Sequence, residues 1–313
     1  MTTLFLFILP FIGYASNVQT STCNNSANVS NLINQKLILL SNKLNLIAKS
    51  IGKSVKTQPV IKVQNASFRE VAFEIDNMQL KINQLVYETT GAYSKLSNYD
   101  KNTLSPCDVE SQVNDSIELL KPVETKLQIK TTSQILKTQN NINASNIFNK
   151  VLEINNFLNV LLYQKTMPGD VYSQITLIIA YVDEILKHYQ LNSQYKENKS
   201  IFKNKTPFDV YQKLLMSFEI LQNIFHHSNL NILSISVHKK LTNIQPNDVL
   251  SLAKIILAET EYLSSLLPYS FNFKNYYYGY KTPSDVYTKV IELNQKLTIL
   301  NQFSQTSPNW IKQ

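Results

Sequence analysis

Glycine, cysteine and tryptophan are scarce in this chain, with 5, 2 and 1 copies in 313 residues. With so few glycines, the chain contains neither a glycine-rich loop for nucleotide phosphates nor a G-x-S-x-G elbow for a nucleophilic serine. The four histidines are His188, His226, His227 and His238, and they show no His-x3-His spacing. No Cys-x2-Cys pair occurs either, so we predict no metal site, no cofactor and no catalytic residue.

Arginine is also scarce, and lysine supplies almost all of the positive charge behind the net charge of +8. The lysines are spread along the chain, and no block of five consecutive basic residues occurs. Arginine is the residue that makes bidentate contacts with phosphates and bases, so we expect no sequence-specific binding of nucleic acid. The lysine excess is then either a solvated surface or a source of weak binding to anionic surfaces.

Long apolar runs are absent except at the N-terminus. The run "LFLFILPFIGY" at 4–14 is too short to span a bilayer as a helix, and Gly13 and Ala15 supply the small residues of a signal-peptidase site. We therefore predict a signal peptide at 1–15, although its first residues lack lysine and arginine. The mature protein should be exported, periplasmic or secreted, and soluble, without a transmembrane anchor.

Export would place the two cysteines, Cys23 and Cys107, in an oxidising environment, where they are candidates for one disulfide. Cys23 lies ten residues before the first helical anchor described below, Ile33. Cys107 lies at a later helix start. If these two helices point the same way, both cysteines lie at the same end of the fold.

A ten-residue pattern recurs along the chain, as "LSPCDVESQV", "TMPGDVYSQI", "KTPFDVYQKL", "IQPNDVLSLA" and "KTPSDVYTKV". From the valine of each "DV", apolar residues follow at +4, +7, +11 and +14, which is a stripe on one face of a helix. Three more anchors show the same spacing without that spelling. The eight anchors are Ile33, Val71, Val109, Ile147, Val171, Val210, Val249 and Val286. Of the forty stripe positions, only Ser116, Ser217 and Thr260 are polar.

The anchors are separated by three steps of 38 residues, one of 24, and then steps of 39, 39 and 37. This spacing predicts an all-α fold of two tandem four-helix repeat units, 16–165 and 166–313, built from repeats of about 38 residues. Most connections are long enough to run back along a helix. Bundles of helices that point the same way and a solenoid of helices with shorter return elements both remain open. The short connection before 171 predicts that the fourth and fifth helices run antiparallel.

The recurring pattern is typical of a helix start. In its last copy, Thr282 is the N-cap, Pro283 is at N1 and Asp285 is at N3, where its carboxylate reaches back to the cap. Thr206 and Asp209 repeat this arrangement. Because the aspartates recur with the cap and not with a partner base, we interpret them as structural.

Capping does not explain the tyrosines that follow three anchors. These residues either pack against a neighbouring copy or form the rim of a binding surface, and they are Tyr172, Tyr211 and Tyr287. The stretch "FNFKNYYYGYK" at 271–281 raises the same alternatives, because its rings could stack on sugars or bases, or pack onto helices. Its tyrosines are Tyr276, Tyr277, Tyr278 and Tyr280.

These features favour an exported, non-catalytic helical-repeat binding or scaffold protein that acts on a protein or glycan partner outside the cytoplasm. The alternative is a periplasmic small-molecule-binding or sensory accessory module, with its ligand held between helices or under the aromatic connections. Such a module would need a membrane partner. An enzyme of unknown type is the third hypothesis.

Overall fold

A computed structural model describes residues 26–55, 61–97, 99, 104–129, 141–163, 166–196, 200, 202–237, 244–269, 271, 273–307 and 309–312. The described chain is mostly helical with one small sheet, which confirms the all-α class. The signal peptide predicted at 1–15 lies outside the described residues. The elements are α1 (Ser26–Ser50), β1 (Ile61–Gln64), α2 (Phe68–Thr90), α3 (Pro106–Leu119), α4 (Lys121–Lys126), α5 (Ala144–Leu161), α6 (Pro168–His188), α7 (Pro207–His227), β2 (Ser234–Val237), α8 (Pro246–Ser265) and α9 (Pro283–Thr306).

The recurring pattern begins helices as predicted. At α9, the backbone N–H of Thr282 donates to Asp285 at 2.8 Å, and the N–H of Asp285 donates to the Thr282 hydroxyl at 3.3 Å. At α7, Thr206 and Asp209 make the same pair of bonds. Each reciprocal pair satisfies backbone donors that the first turn of a helix leaves unpaired.

The apolar stripes form the core. All forty stripe positions are buried, and none is more than 3% exposed. The three polar members are satisfied within their own helices, because each hydroxyl donates to the carbonyl four residues earlier. Ser116 donates to Gln112 at 2.8 Å, and Thr260 donates to Ile256 at 2.7 Å. Ser217 bonds in the same way and also contacts Asn294 of α9.

One stripe does not form the single helix that its spacing predicts. The helix that begins at Pro106 ends at Leu119, and α4 starts again at Lys121. Pro122 explains the interruption, because proline has no N–H and its ring clashes with the carbonyl four residues earlier. Leu120 and Val123, on either side of the break, are still buried.

The helices pack in two groups of the same plan. In the first helix group (α1 to α5), α1 and α2 each pack against both α3 and α5. In the second helix group (α6 to α9), α6 and α7 each pack against both α8 and α9. Each group is therefore a closed ring of four helices, with α3 and α4 forming one corner of the first. In the first group α1 lies opposite α2, and in the second α6 lies opposite α7.

Within a group, the helices point the same way. Lys36 of α1 pairs with Glu110 of α3, and Lys43, further along α1, pairs with Glu124 of α4. Contacts therefore advance together along both helices. Three other packed pairs show the same order of contacts. These contacts are Ala66 with Ser145 and Glu74 with Asn155 for α2 and α5, Thr166 with Asn247 and His188 with Tyr269 for α6 and α8, and Lys205 with Ser284 and His227 with Ser304 for α7 and α9.

The two groups run antiparallel to each other. Arg69 near the start of α2 bonds Glu259 late in α8, whereas Glu74 interacts with Lys254, which lies earlier in α8. Strands β1 and β2 also join the groups as an antiparallel pair, with Ile61 opposite Val237. The direction reverses in the short connection between α5 and α6, in agreement with the prediction for the fourth and fifth helices.

Long connections return the chain to the starting end of each group. After α8, Tyr269 contacts His188, Phe273 packs edge-on against Tyr181 at 5.0 Å, and residues 278–279 reach the first turn of α6. The connection thus runs back along α6. In the connection between α8 and α9, the return segment is therefore packed on a helix, as expected.

Candidate binding surface

A close contact at the start of α6 holds residues 273–280, which we call the tyrosine segment. A Cβ atom added to Gly169 would lie 2.8 Å from the carbonyl oxygen of Gly279 and 3.2 Å from the ring of Tyr277. Gly279 itself has a φ of 75°, in the left-handed region that glycine adopts at no steric cost. The two glycines therefore let the backbone of the tyrosine segment lie directly on the first turn of α6.

The tyrosine segment directs most of its tyrosines towards solvent. Tyr276, Tyr277 and Tyr280 are 63%, 70% and 83% exposed. Tyr278 is 43% exposed and packs edge-on against Tyr172 of α6, with ring centroids 5.6 Å apart. A cluster of large, exposed rings on a supported backbone is typical of a binding surface, because tyrosine combines apolar area with a hydroxyl at low entropic cost.

The three tyrosines that follow anchors have different surroundings. Tyr172 is half-buried, and Lys281 lies over its ring at 4.6 Å from the centroid. Tyr287 is also half-buried and packs against Phe202 at 5.1 Å. Tyr211 is fully buried, and burial raises the pKa of its hydroxyl. Of the two alternatives for these tyrosines, packing therefore describes Tyr211, which belongs to the core in this structure.

Two aromatic residues of this surface were not among the sequence candidates. Tyr195 and Phe202 lie in the connection between α7 and the preceding helix, and both face α9. Tyr195 lies under the ammonium group of Lys296, 4.6 Å from its ring centroid, and Phe202 packs on Tyr287. Their position in the sequence could have identified them, because aromatic residues precede the helix start in this connection as they do in 271–281.

Three cavities lie along this side of the second helix group. One of about 450 Å³ lies between α6 and the tyrosine segment, and one of about 310 Å³ lies between Tyr172 and α9. The third, of about 450 Å³, lies between α7 and α9 beside Tyr195. The lysines that line them are Lys196, Lys213, Lys274, Lys281 and Lys289, and the acidic residues are Asp285 and Glu292.

The acidic side chains of this surface already have cationic or backbone partners. Asp285 accepts the cap bonds of α9, and Glu292 accepts from Lys289 at 2.6 Å and lies 3.4 Å from Lys296. The cap bonds, led by the one from the Thr282 backbone, lower the pKa of Asp285, so it is ionised at neutral pH. The remaining lysines make this side of the protein attractive to anions.

A separate cavity of about 300 Å³ lies between α2 and α8, where the two helix groups meet. Its walls combine Phe73 and Tyr262 with the ionisable side chains of Arg69, Asp76 and Glu261. Such a mixture of apolar walls and convergent polar groups is typical of a small-molecule site.

Several ionisable groups on α2 and α8 have pKa values that burial shifts strongly. Burial raises the pKa of Glu259 to about 8, although the guanidinium of Arg69 opposes the shift. Burial and the charge of Lys254 lower the pKa of Lys81 to about 7, and Glu74 acts in the opposite direction. Perturbed pairs of this kind occur both in functional sites and in structural ion pairs.

The remaining candidates are the histidines and cysteines. Among the described residues, no three His, Cys, Asp or Glu side chains are grouped so that they could hold a metal ion. His238 lies outside those residues. Cys107 occupies N2 of α3 and is not a free thiol. Cys23 lies outside the described residues, so its pairing with Cys107 stays a prediction.

In the part of the chain that the structure describes, no helix has the length and apolar character needed to cross a membrane. Comparisons of the whole chain with protein-family models, with curated proteins and with solved structures find no match.

Proposed function

We propose that this chain is an exported, non-catalytic binding protein, built from two copies of a parallel four-helix unit, that binds a protein or glycan partner through the tyrosine segment. The observation that carries the proposal is the exposure of Tyr276, Tyr277 and Tyr280 on a backbone that Gly169 allows to rest on α6. Exposed aromatic clusters of this kind otherwise cost solubility, so a partner that covers them is their simplest explanation.

Two observations support the duplication. The eight apolar stripes follow the spacing that divides the chain into 16–165 and 166–313. In addition, the packing partners correspond between the two copies. Helices α1 and α2 both pack against α3 and α5, and helices α6 and α7 both pack against α8 and α9. Because each ring of four helices closes on itself, this packing favours two bundles over a continuous solenoid.

The distribution of aromatic residues supports a binding role for the second unit. Residues 166–313 contain 20 Phe, Tyr and Trp, whereas 16–165 contain 8 in nearly the same length. Two copies of one helical plan need similar amounts of core. Part of the excess is core, since Tyr181, Tyr211, Phe218, Phe225 and Trp310 are buried. Among the described residues, the second copy nevertheless has five exposed tyrosines and the first has three, and four of those five lie in the tyrosine segment.

A pulldown from the exported fraction, with the purified mature chain as bait, tests the proposal. We expect the triple variant Tyr276→Ala, Tyr277→Ala, Tyr280→Ala to lose the captured partner while its melting temperature stays unchanged. The matched control is Tyr93→Ala, Tyr163→Ala, because these tyrosines of the first helix group are 66% and 74% exposed. Equal capture by both variants would contradict a role for the tyrosine segment.

Export is tested on the same material. We propose cleavage after Ala15, so mass spectrometry of the mature protein should find Ser16 at its N-terminus. Recovery of the protein only inside the cytoplasm with an intact N-terminus would contradict this part of the proposal.

A small-molecule module is the second candidate, and the cavity between α2 and α8 favours it. A thermal-shift screen of small organic compounds should then find ligands that raise the melting temperature, because a ligand that binds only the folded state stabilises it. In Phe73→Trp, the larger side chain should fill part of the cavity and so abolish the ligand-induced rise in melting temperature. A ligand that stabilises this variant equally would have to bind elsewhere.

A further inference from the structure

We infer that the three cavities of the second helix group form one groove that binds an extended, acidic polysaccharide. The inference rests on the proposed binding function, and it deepens that function by naming the chemical class of the partner and the residues that would contact it. Four features carry it: the adjacency of the cavities, their aromatic walls, their neutral hydrogen-bonding groups and their charge.

The cavities adjoin one another along one side of the second helix group. Tyr195, Ile291 and Gln295 line both the cavity between α7 and α9 and the cavity beside Tyr172. Tyr172 in turn packs against Tyr278, which lines the cavity along α6. The groove therefore crosses from α7 over α9 to α6. Such a path suits a linear chain with several units better than a compact small molecule.

Aromatic rings recur along this path. Tyr195 lies at the α7 side, Phe202 and Tyr172 line the middle, and Tyr278 and Tyr276 line the α6 side. The faces of sugar rings carry C–H groups that pack on aromatic rings, while their hydroxyls reach outwards to polar side chains. Regular ring platforms can therefore bind successive units of one chain.

Neutral polar side chains fill the walls between the rings. Ser173 and Thr176 face the α6 side, and Thr288 and Gln295 face the middle. The Oε1 atom of Gln295 is buried and has no hydrogen-bond partner among the described residues. Other atoms of Gln295 line two of the cavities, so a modest side-chain movement would bring its amide within hydrogen-bonding distance of a sugar hydroxyl.

The charge along the groove is positive. Lys274 and Lys281 line its α6 side and middle, Lys289 is paired with Glu292, and Asp285 is engaged in the cap of α9. Lysine binds carboxylate or sulfate groups as a point charge, without the fixed geometry of arginine. Arg69, the single arginine of the chain, lies elsewhere, which disfavours bidentate phosphate recognition. Spaced carboxylates on a sugar chain match this arrangement.

Calorimetric titration of the mature full chain with hyaluronan, heparin and neutral dextran tests the inference. We expect binding of hyaluronan or heparin and at least about tenfold weaker binding of dextran. Tyr195→Ala and Lys281→Gln should each weaken binding of the acidic polysaccharide by about tenfold, which corresponds to a loss of roughly 1.4 kcal/mol in binding free energy. Tyr163→Ala and Lys121→Gln, exposed residues of the first helix group, are controls that should bind normally. Melting temperatures identify any variant that unfolds.

Several results would overturn the inference. They are the absence of binding to both acidic polysaccharides, equal affinity for dextran, full competition by a single-stranded DNA oligonucleotide, or binding that Tyr195→Ala leaves unchanged. If these occur while the tyrosine triple variant still loses a captured protein, the proposed binding function stands and only the glycan assignment fails. If neither assay responds, both fail.

Discussion

The guanidinium of Arg69 in α2 donates to the carboxylate of Glu259 in α8 at 2.8 Å, across the boundary between the two helix groups. Glu259 is fully buried, and Arg69 also lies 3.9 Å from the ring centroid of Tyr262. The same guanidinium contacts Glu70 at 3.0 Å, so it connects three side chains of two helices. The only arginine of the chain thus stabilises the junction of the two groups.

Removing Arg69 should destabilise the protein severely. Because the buried Glu259 carboxyl would lose its cationic partner, we expect Arg69→Met to lower the free energy of unfolding by about 3 kcal/mol or more, measured by urea denaturation above pH 8, where Glu259 is ionised. The double variant Arg69→Met, Glu259→Leu should recover most of that loss, since an apolar pair needs no desolvation of charge. A single variant as stable as the wild type would contradict a role for the pair.

The raised pKa of Glu259 predicts a pH dependence. The unfolded carboxyl loses its proton near its ordinary pKa of 4.5, whereas the folded one keeps it until about pH 8. The folded state therefore binds more protons between these values, and its stability falls as pH rises through that window. The loss should amount to a few kcal/mol, because one pKa unit corresponds to about 1.4 kcal/mol.

Urea denaturation of the wild type and Glu259→Gln between pH 5 and pH 7 measures this effect. The decline in stability should be smaller in Glu259→Gln than in the wild type, and Glu74, whose pKa burial also raises, should account for a remainder. This window is chosen because Lys81, with its pKa lowered to about 7, acts in the opposite direction at higher pH, where its folded form is neutral and its unfolded form is charged. If stability falls as steeply with pH in Glu259→Gln as in the wild type, the fall must come from groups other than Glu259.

The stripe residues should dominate stability. Leu293 and Ile178 are both fully buried, so Leu293→Ala and Ile178→Ala should each cost about 2–5 kcal/mol, through lost burial and the cavity left behind. Leu80→Ala is the matched control, because Leu80 lies on the same kind of helix and is 60% exposed, and it should cost less than about 0.5 kcal/mol. Similar losses at all three positions would refute the stripe as the core.

The cap of α9 should contribute a smaller, acid-sensitive amount. Asp285 is exposed, and Asp285→Ala should cost about 0.5–2 kcal/mol, the range for cap interactions. The pKa of Asp285 is lowered from 3.8, first by its bond from the Thr282 backbone, so its contribution is present above that value. As pH falls through the lower folded pKa, the carboxylate is protonated and the difference from wild type should shrink. An activity lost without any change in the melting curve would contradict the structural role.

The pairing of Cys23 with Cys107 predicts no free thiol in unfolded, unreduced mature protein. The bond would close a loop of about 84 residues, which chain entropy values at about 4 kcal/mol. Reduction, or Cys107→Ser, should therefore lower the melting temperature. Two titratable thiols in the unreduced chain would exclude the bond.

Sequence by itself determined the local features of this protein. A cap such as Thr282 with Asp285 acts within four residues, and an apolar stripe such as that from Val286 follows from the period of one helix. Both could therefore be assigned before any packing was known. The interruption at Leu120 was equally local, because Pro122 is visible in the sequence, and only the strong periodicity around it concealed the break.

Tertiary structure alone decided which stripes meet and what remains on the surface. Eight stripes of similar residues are nearly interchangeable partners, so the ring order of each group and its parallel direction depend on the fit of whole helix faces and on the return of long connections. For the same reason Tyr211 and Tyr287, which follow the same motif, differ in exposure, and Tyr195 joins Tyr172 although 23 residues separate them. Spacing along a helix specifies one face, but neighbours from other helices decide whether a side chain on its flank is buried, paired or open to a partner.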